Sequence, residues 1–276
     1  MSSCLSKEST FYKVNNLKGE NMNYQAIIDL VKTAGQFVFD KELRNSVNMK
    51  GSADFVTAVD LKISEYVKKE LKILTPEIGF MSEEEEGEIS PKRWILDPID
   101  GTTNLVYDYN MSSVSLAYFD GEKIDFGVIY NPFNGDLFVA KRGNGVYLNG
   151  EKLDTAPDRK PTDCIIEFGA GSTKKQYTDE SFAIAKEVFR NCLDIRRICS
   201  SALAIAYVAA GKLNGYFERS IKPWDYAAAT LMLEECGAIC SDWDGNKIQY
   251  EKPSSFACGT KQAYDLIMKS IKENKQ

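Results

Sequence analysis

The sequence predicts an α+β protein, mixed sheets with helices packed on them, and three observations carry that expectation. Apolar residues recur at helical spacing near the start, hairpin signals crowd the middle, and short apolar runs alternate with amphipathic segments in the second half. Over residues 24 to about 43, Ile27, Ile28, Val31, Ala34, Phe37 and Val38 fall on one helical face. A second helix is expected over about 57–74, stopped by Pro76. Trp94, Ile95 and Leu96 read as a short buried strand that ends abruptly at Asp97-Pro98.

Strands are then expected at 113–119, 124–130 and 137–140, punctuated by Asp120-Gly121 and Asn134-Gly135, with a glycine-rich hairpin over 143–153. In the second half, strands at 164–168, 194–198, 215–218 and 256–258 interleave with helices near 179–191, 201–210, 226–236 and 261–272. Repeats and low-complexity tracts are absent from the sequence. Residues 1–21 are polar and irregular, and Met22 precedes the first periodic segment, so this stretch reads as a disordered tail or a misassigned start.

With 276 residues, 43% hydrophobic and 27% charged, the chain is long enough for one large core. A formal charge of −6 argues against a surface that neutralises many nucleic-acid phosphates, so direct nucleic-acid binding is not expected. No apolar run approaches the roughly 18–20 residues needed to cross a bilayer, and no apolar signal core stands near the start, so no membrane association and a cytoplasmic location are expected. Seven cysteines without short repeated spacing read as reduced thiols. Histidine is absent, which removes the usual zinc ligand, the usual general base and every Ser-His or Cys-His pair. Chemistry is left to carboxylates, hydroxyls, Lys or Cys, with oxygen-ligated metals such as Mg²⁺ favoured.

The most informative stretch is Trp94-Ile95-Leu96-Asp97-Pro98-Ile99-Asp100-Gly101-Thr102-Thr103-Asn104. Only Pro98 and Ile99 separate its two carboxylates, and the turn that follows leads into a short helix whose free N–H groups suit a phosphate oxygen. An Asx turn that merely caps a helix is the structural alternative.

At this motif the chain resembles the inositol monophosphatase family of metal-dependent phosphatases, whose signature reads D-P-I/L-D-G-T-T-N. Further segments match in order from about Met22 onward: Asp54-Phe55-Val56-Thr57-Ala58-Val59-Asp60, Gly79-Phe80-Met81-Ser82-Glu83-Glu84, Arg196-Arg197-Ile198-Cys199-Ser200-Ser201-Ala202 and Trp224-Asp225-Tyr226-Ala227-Ala228-Ala229. The resemblance implies a layered αβαβα sandwich of the sugar phosphatase type, with residues 22–276 forming one phosphatase domain of two halves, about 22–155 and 156–276. It implies Glu83, Asp97, the Ile99 carbonyl, Asp100 and Asp225 as ligands of Mg²⁺, and Glu84 as a supporting acid. Thr102 and Asp60 would orient a water, and Lys50 would belong to a loop closing the site. Backbone N–H groups of Gly101 and Thr102 would cradle the phosphate, while Asp100, Ser201 and Glu218 would complete the substrate site, Glu218 accepting from substrate hydroxyls. Plain helix capping by Thr57, Asp54 or Asp225, and a solvated run of glutamates, are the structural alternatives. Arg219 reads as a surface charge or as a contact to a second phosphate.

Four positions depart from the family pattern: Ser82 and Cys199 stand where glycine is usual, Ser201 where alanine is usual and Ala229 where glycine is usual. The activity implied is hydrolysis of inositol monophosphate or a related small polyol phosphate by metal-activated water, lithium-sensitive, in a homodimer. Relatives in the same fold act on fructose 1,6-bisphosphate, nucleotide 3′-phosphates, histidinol phosphate or NADP, and a protein-binding scaffold role in transcription is the reading from a different class.

Overall fold

The computed structural model describes residues 22–51, 54–85, 90–171 and 173–275. The reading of residues 1–21 as a tail, and the role given to the Lys50 side chain, fall outside what it describes. In chain order the first elements are α1 (Tyr24–Gly35), α2 (Lys41–Asn45), β1 (Val47–Gly51), β2 (Asp54–Thr57) and α3 (Ala58–Leu74). Next come β3 (Gly79–Ser82), β4 (Arg93–Asp100), α4 (Thr102–Val106), β5 (Ser113–Phe119), β6 (Ile124–Tyr130), β7 (Leu137–Lys141), β8 (Gly145–Leu148) and β9 (Glu151–Lys152). The second half holds β10 (Ile165–Gly169), α5 (Thr178–Asn191), β11 (Asp194–Arg196), α6 (Ser201–Ala209) and β12 (Gly215–Ile221). It ends with α7 (Pro223–Glu235), β13 (Ile239–Ser241), β14 (Ser254–Gly259) and α8 (Lys261–Asn274).

The single helix expected over 24–43 is broken: α1 tightens into a 3-10 turn over Gln36–Phe39, and α2 starts beyond it. A side chain at Gly35 would come within 2.7 Å of the Tyr130 ring, so the helix passes this strand on a glycine. Beyond it Asp40 turns extended and caps α2, accepting from the N–H groups of Glu42 and Leu43. The α3 expectation holds, with Thr57 as its N-cap.

Strands β3 to β9 form one sheet in that order, antiparallel except for the parallel β3–β4 pair. A smaller sheet has the order β11-β10-β12-β14-β13, with β10 parallel to both neighbours. A separate hairpin, β1–β2, was not foreseen from the sequence pattern. Alternation along buried strands sorts side chains into layers. On β4, Trp94 and Leu96 point into a core with Ile28, Val59 and Ile63 of α1 and α3, while Ile95 points the other way. On β12, Tyr216 joins that second core and Phe217 a third one with Ile184 and Ile267 of α5 and α8.

The order of layers is therefore α1 and α3, the large sheet, α6 and α7, the small sheet, then α5 and α8, an αβαβα sandwich. Helix α6 is buried from Ala202 to Ala209, which explains why it is apolar on every side. Among the described residues no helix is long and apolar enough to cross a membrane.

Close approach of the middle layer depends on a missing side chain at Gly127 of β6, where a Cβ would meet the Ala228 carbonyl oxygen at 2.8 Å and its Cα at 3.0 Å. Both contacts are backbone of α7 and have no rotamer to yield. Gly127→Ala is expected to destabilise the fold by about 1–3 kcal/mol, read as a lowered urea midpoint at constant slope.

Candidate active site

The site begins where β4 loses its register. Asp97 lies opposite Ser115 and Asp100 opposite Ser113, so three steps on β4 match two on β5. The strand expected to end at Asp97 thus continues to Asp100 through a bulge. Pro98, which lacks an N–H, sits in the stretch where the ladder is interrupted. Gly101 follows with φ +89°, a left-handed turn in which a side chain would press on the Met111 and Cys199 carbonyl oxygens at 3.1 and 3.2 Å. Here glycine is required.

Asp100 is held by the segment leading into α6. It accepts from the Ser200 hydroxyl, from the Ser201 N–H at 3.1 Å and from the Ala202 N–H at 2.8 Å. Asn104 locks the same segment from the other side, donating to Met111 O at 2.7 Å and Ile198 O at 2.8 Å. Asp225 sits in the first turn of α7, not at its N-cap as the sequence suggested, and accepts from the Lys222 N–H at 2.6 Å. The helix starts earlier because Pro223 serves as its first residue.

Carboxylate oxygens of Asp97, Asp100 and Asp225 all lie within 4.8 Å of one another. At that separation each ionised pair repels by roughly 3 kcal/mol or more in an effective dielectric of about 20. Burial first, then the charges of Glu83, Asp100 and Asp225, push Asp97 well above the usual carboxylate range. Burial and Asp100 do the same to Asp225. Asp100 reaches only about 6, since its hydrogen bonds offset much of the burial. One Asp97 oxygen, Oδ1, is buried without a hydrogen-bond partner. A dry acceptor beside converging acids is a poor structural motif and a fitting one for a divalent cation.

Asp60 stands next to this cluster. One oxygen accepts from the Thr57 N–H at 2.8 Å and its hydroxyl at 2.6 Å, which closes the cap of α3; the other lies 3.1 Å from Thr102 Oγ. Capping and site membership therefore coexist in one carboxylate. Burial, with the Glu84 charge adding to it, raises Asp60 to about 6. Thr102 Oγ is also 3.0 Å from the Ile99 carbonyl.

A cavity of about 260 Å³ opens on Glu83, Asp97, Ile99, Asp100, Gly101, Thr102, Ser201, Glu218 and Asp225. Nearly every residue singled out in the sequence meets there. Glu83 lines the cavity but stands outside the three-carboxylate cluster, and Glu84 is not among the lining residues, though its charge raises Asp60. Arg219 turns away, its Nε donating to Glu180 at 2.9 Å.

Among the lining residues that escaped the sequence reading, Glu167 and Tyr216 bring polar side chains, and Gly169, Ala170 and Gly171 bring backbone. Glu167 is buried on β10 and accepts from the N–H groups of Ile198, at 2.7 Å, and Cys199. It thereby anchors the segment that holds Asp100. Its signal was visible as an acid inside the apolar run Ile165-Ile166-Glu167-Phe168. Cys199, where glycine is usual in the family, has φ +61°, a left-handed backbone that explains the preference.

The model of the inositol monophosphatase family matches residues 21–276. The chain belongs to that family. As a member of the inositol monophosphatase family it is a phosphatase. The inositol-1-monophosphatase of Mesorhizobium japonicum is 34% identical over 84% of this chain and 88% of the relative. Nus factor SuhB of Vibrio cholerae is 33% identical over 85% and 90%. A solved IMPase/NADP phosphatase complexed with Mg²⁺ and phosphate superposes with TM-score 0.80 and 26% identity, covering 91% of this chain and 95% of its own.

Two outcomes follow from this geometry. Glu167→Ala strands two N–H groups in the interior and is expected to cost about 1–3 kcal/mol more in urea unfolding than Glu167→Gln, whose carbonyl oxygen still accepts. A carboxyl with a raised native pKa binds its proton more tightly when folded, so its stabilising contribution is complete below about pH 4 and is lost as pH rises through its native value. For Asp60 and Asp100 that value is about 6, and Asp97 is shifted the same way. The metal-free chain is therefore expected to melt at a lower temperature at about pH 7.5 than at about pH 5, with Mg²⁺ recovering the loss at the higher pH in a calorimetric scan.

Proposed function

We propose that the chain hydrolyses a small polyol or sugar phosphate monoester, with inositol monophosphate as the reference substrate, using Mg²⁺ held by Glu83, Asp97, the Ile99 carbonyl, Asp100 and Asp225. The observation that carries this reading is the trio of carboxylate oxygens within 4.8 Å, one acid keeping an unpartnered buried oxygen. When bound, the cations supply the positive charge that offsets the phosphate and acidifies water. Support also comes from a relative named inositol-1-monophosphatase and from the similar enzyme solved with Mg²⁺ and phosphate.

The residues of the chain have distinct tasks in this reading. Thr102 has one hydroxyl proton, and donating it to Asp60 at 3.1 Å leaves its lone pairs to accept from the attacking water. Asp60 is ionised above about pH 6 and stabilises that orientation, with Glu84 as its charged neighbour. Backbone N–H groups of Gly101 and Thr102, at the left-handed turn, hold phosphate oxygens. Water then displaces the sugar oxygen in line: a P–O bond to the water oxygen forms as the P–O bond to the sugar breaks, the proton released by the water is balanced by the one the departing alkoxide takes up to leave as the alcohol, and no covalent enzyme intermediate is needed. Glu218, raised to about 7 chiefly by burial, accepts from a hydroxyl of the departing polyol.

A second reading, a protein-binding role in transcription, is supported by the relative named Nus factor SuhB. The two are separated by Asp97→Asn and Asp225→Asn. Each is expected to lower Mg²⁺-dependent phosphate release from inositol 1-phosphate by at least about a hundredfold while leaving the fold intact by circular dichroism. Turnover near that of the wild type removes the metal assignment. Comparing release from inositol 1-phosphate, fructose 1,6-bisphosphate, NADP and adenosine 3′,5′-bisphosphate ranks the substrate classes.

A further inference from the structure

Tyr216, Ser201 and Glu218 form a closed hydrogen-bonded set on the cavity wall. The Tyr216 hydroxyl donates to Glu218 Oε2, Ser201 Oγ lies 2.8 Å from the Tyr216 oxygen, and Ser201 Oγ is 3.3 Å from the same Oε2. Tyr216 is 1% exposed and Glu218 6% exposed, so neither reaches bulk water by moving slightly. Each hydroxyl has one proton. Tyr216 gives its own to Glu218, and the Ser201 proton goes either to Tyr216 or to Glu218. Both protons are consumed inside the set.

We infer that Tyr216 is a positioning residue for substrate selection: with Ser201 it occupies Glu218 Oε2 and fixes the carboxylate so that Oε1 alone is presented to a substrate hydroxyl. Oε1 has no hydrogen bond among the described residues, and Glu218 lines the cavity. The wall behind the carboxylate is glycine backbone; a Cβ at Gly169 would lie 2.0 Å from Oε2, and one at Gly171 3.5 Å from Oε1. Glu218 therefore rests on the edge of β10 and has no room to turn. A fixed acceptor with one open oxygen selects for a ligand that offers a hydroxyl donor there, and it penalises an ester that leaves the oxygen dry and unpaired. The substrate class is a phosphate ester of a hydroxyl-bearing ring or chain. Ser201, where relatives carry alanine, strengthens the hold on Oε2 rather than donating to the ligand.

This rests on the polyol phosphatase reading and deepens it. The test uses Tyr216→Phe, which keeps the ring packed against Phe256, and compares kcat/KM for inositol 1-phosphate with that for phenyl phosphate, an ester without hydroxyls. The expected result is a fall of about tenfold in the ratio of the two, most of it in KM for inositol 1-phosphate, with Ser201→Ala giving a smaller fall in the same direction. In a Glu218→Gln background the Tyr216→Phe change is expected to alter the ratio no further, because both act through one acceptor. A ratio that stays constant while both substrates lose activity together marks a structural role and overturns the inference, as does an undiminished ratio in both single variants. A wild-type chain that cleaves phenyl phosphate and ignores inositol 1-phosphate overturns the polyol reading, and the inference falls with it.

Discussion

The arrangement of this molecule is governed by the repulsion among acids that its backbone forces together. Asp97, Asp100 and Asp225 come from two elements on different layers, and burial alone already disfavours their charged forms. Nothing in their mutual contact holds them. They are held from outside: Asp100 by three donors around the start of α6, Asp225 by the first turn of α7, Asp97 by the bulged end of β4. Apolar packing on both faces of the large sheet supplies the stiffness that keeps those anchors in place. The stability of the scaffold is spent on holding a locally unfavourable cluster, a usual trade at functional sites.

Much of this was legible because it is local. A proline between two acids and a glycine after them, at the end of an apolar run, mark a tight turn into a short helix, and that turn is there with Gly101 left-handed; the bulge itself was not read, since the strand was expected to stop at Asp97. The strands of the large sheet from β4 onward and the helices of the second half were likewise readable from turn dipeptides and periodicity, whereas β3 was not. What stayed hidden depends on partners far along the chain. The close approach of Tyr130, on β6, to Gly35 at the end of α1 joins residues almost a hundred positions apart. The extension of β4 to Asp100 depends on pairing with β5, and the helical start at Pro223 moved Asp225 from the cap to the first turn. The meeting of Asp225 with Asp97 and Asp100 was expected from family resemblance alone, since spacing cannot relate segments more than a hundred residues apart.

Glu167 and Tyr216 illustrate another limit. Both lie on strands covered on two faces, where an isolated polar residue in an apolar run is easily read as a tolerated exception. Their meaning emerges only when the strand pairing is known: β10 and β12 are parallel neighbours, with Glu167 beside Tyr216 and Gly169 beside Glu218. A buried acid or phenol in a central strand is costly unless satisfied, so its presence is itself a pointer to a partner across the layer. Cys199 makes the complementary case. Its left-handed backbone lies at a position where the family pattern has glycine, so the cavity wall gains a thiol together with local conformational strain.

The middle helices give the architecture its unity. Helices α6 and α7 are enclosed by the large sheet on one side and by the small sheet on the other, and a single apolar cluster runs through all of them. A break in the chain near residue 155 would give two pieces of similar size, yet neither could be self-sufficient. One would show water the bare inner face of its sheet, and the other would carry two greasy helices covered by the small sheet on one side and bare on the other. Chain continuity matters less here than the shared layer, so the two pieces made separately should find one another and rebuild the cleft where the acids meet.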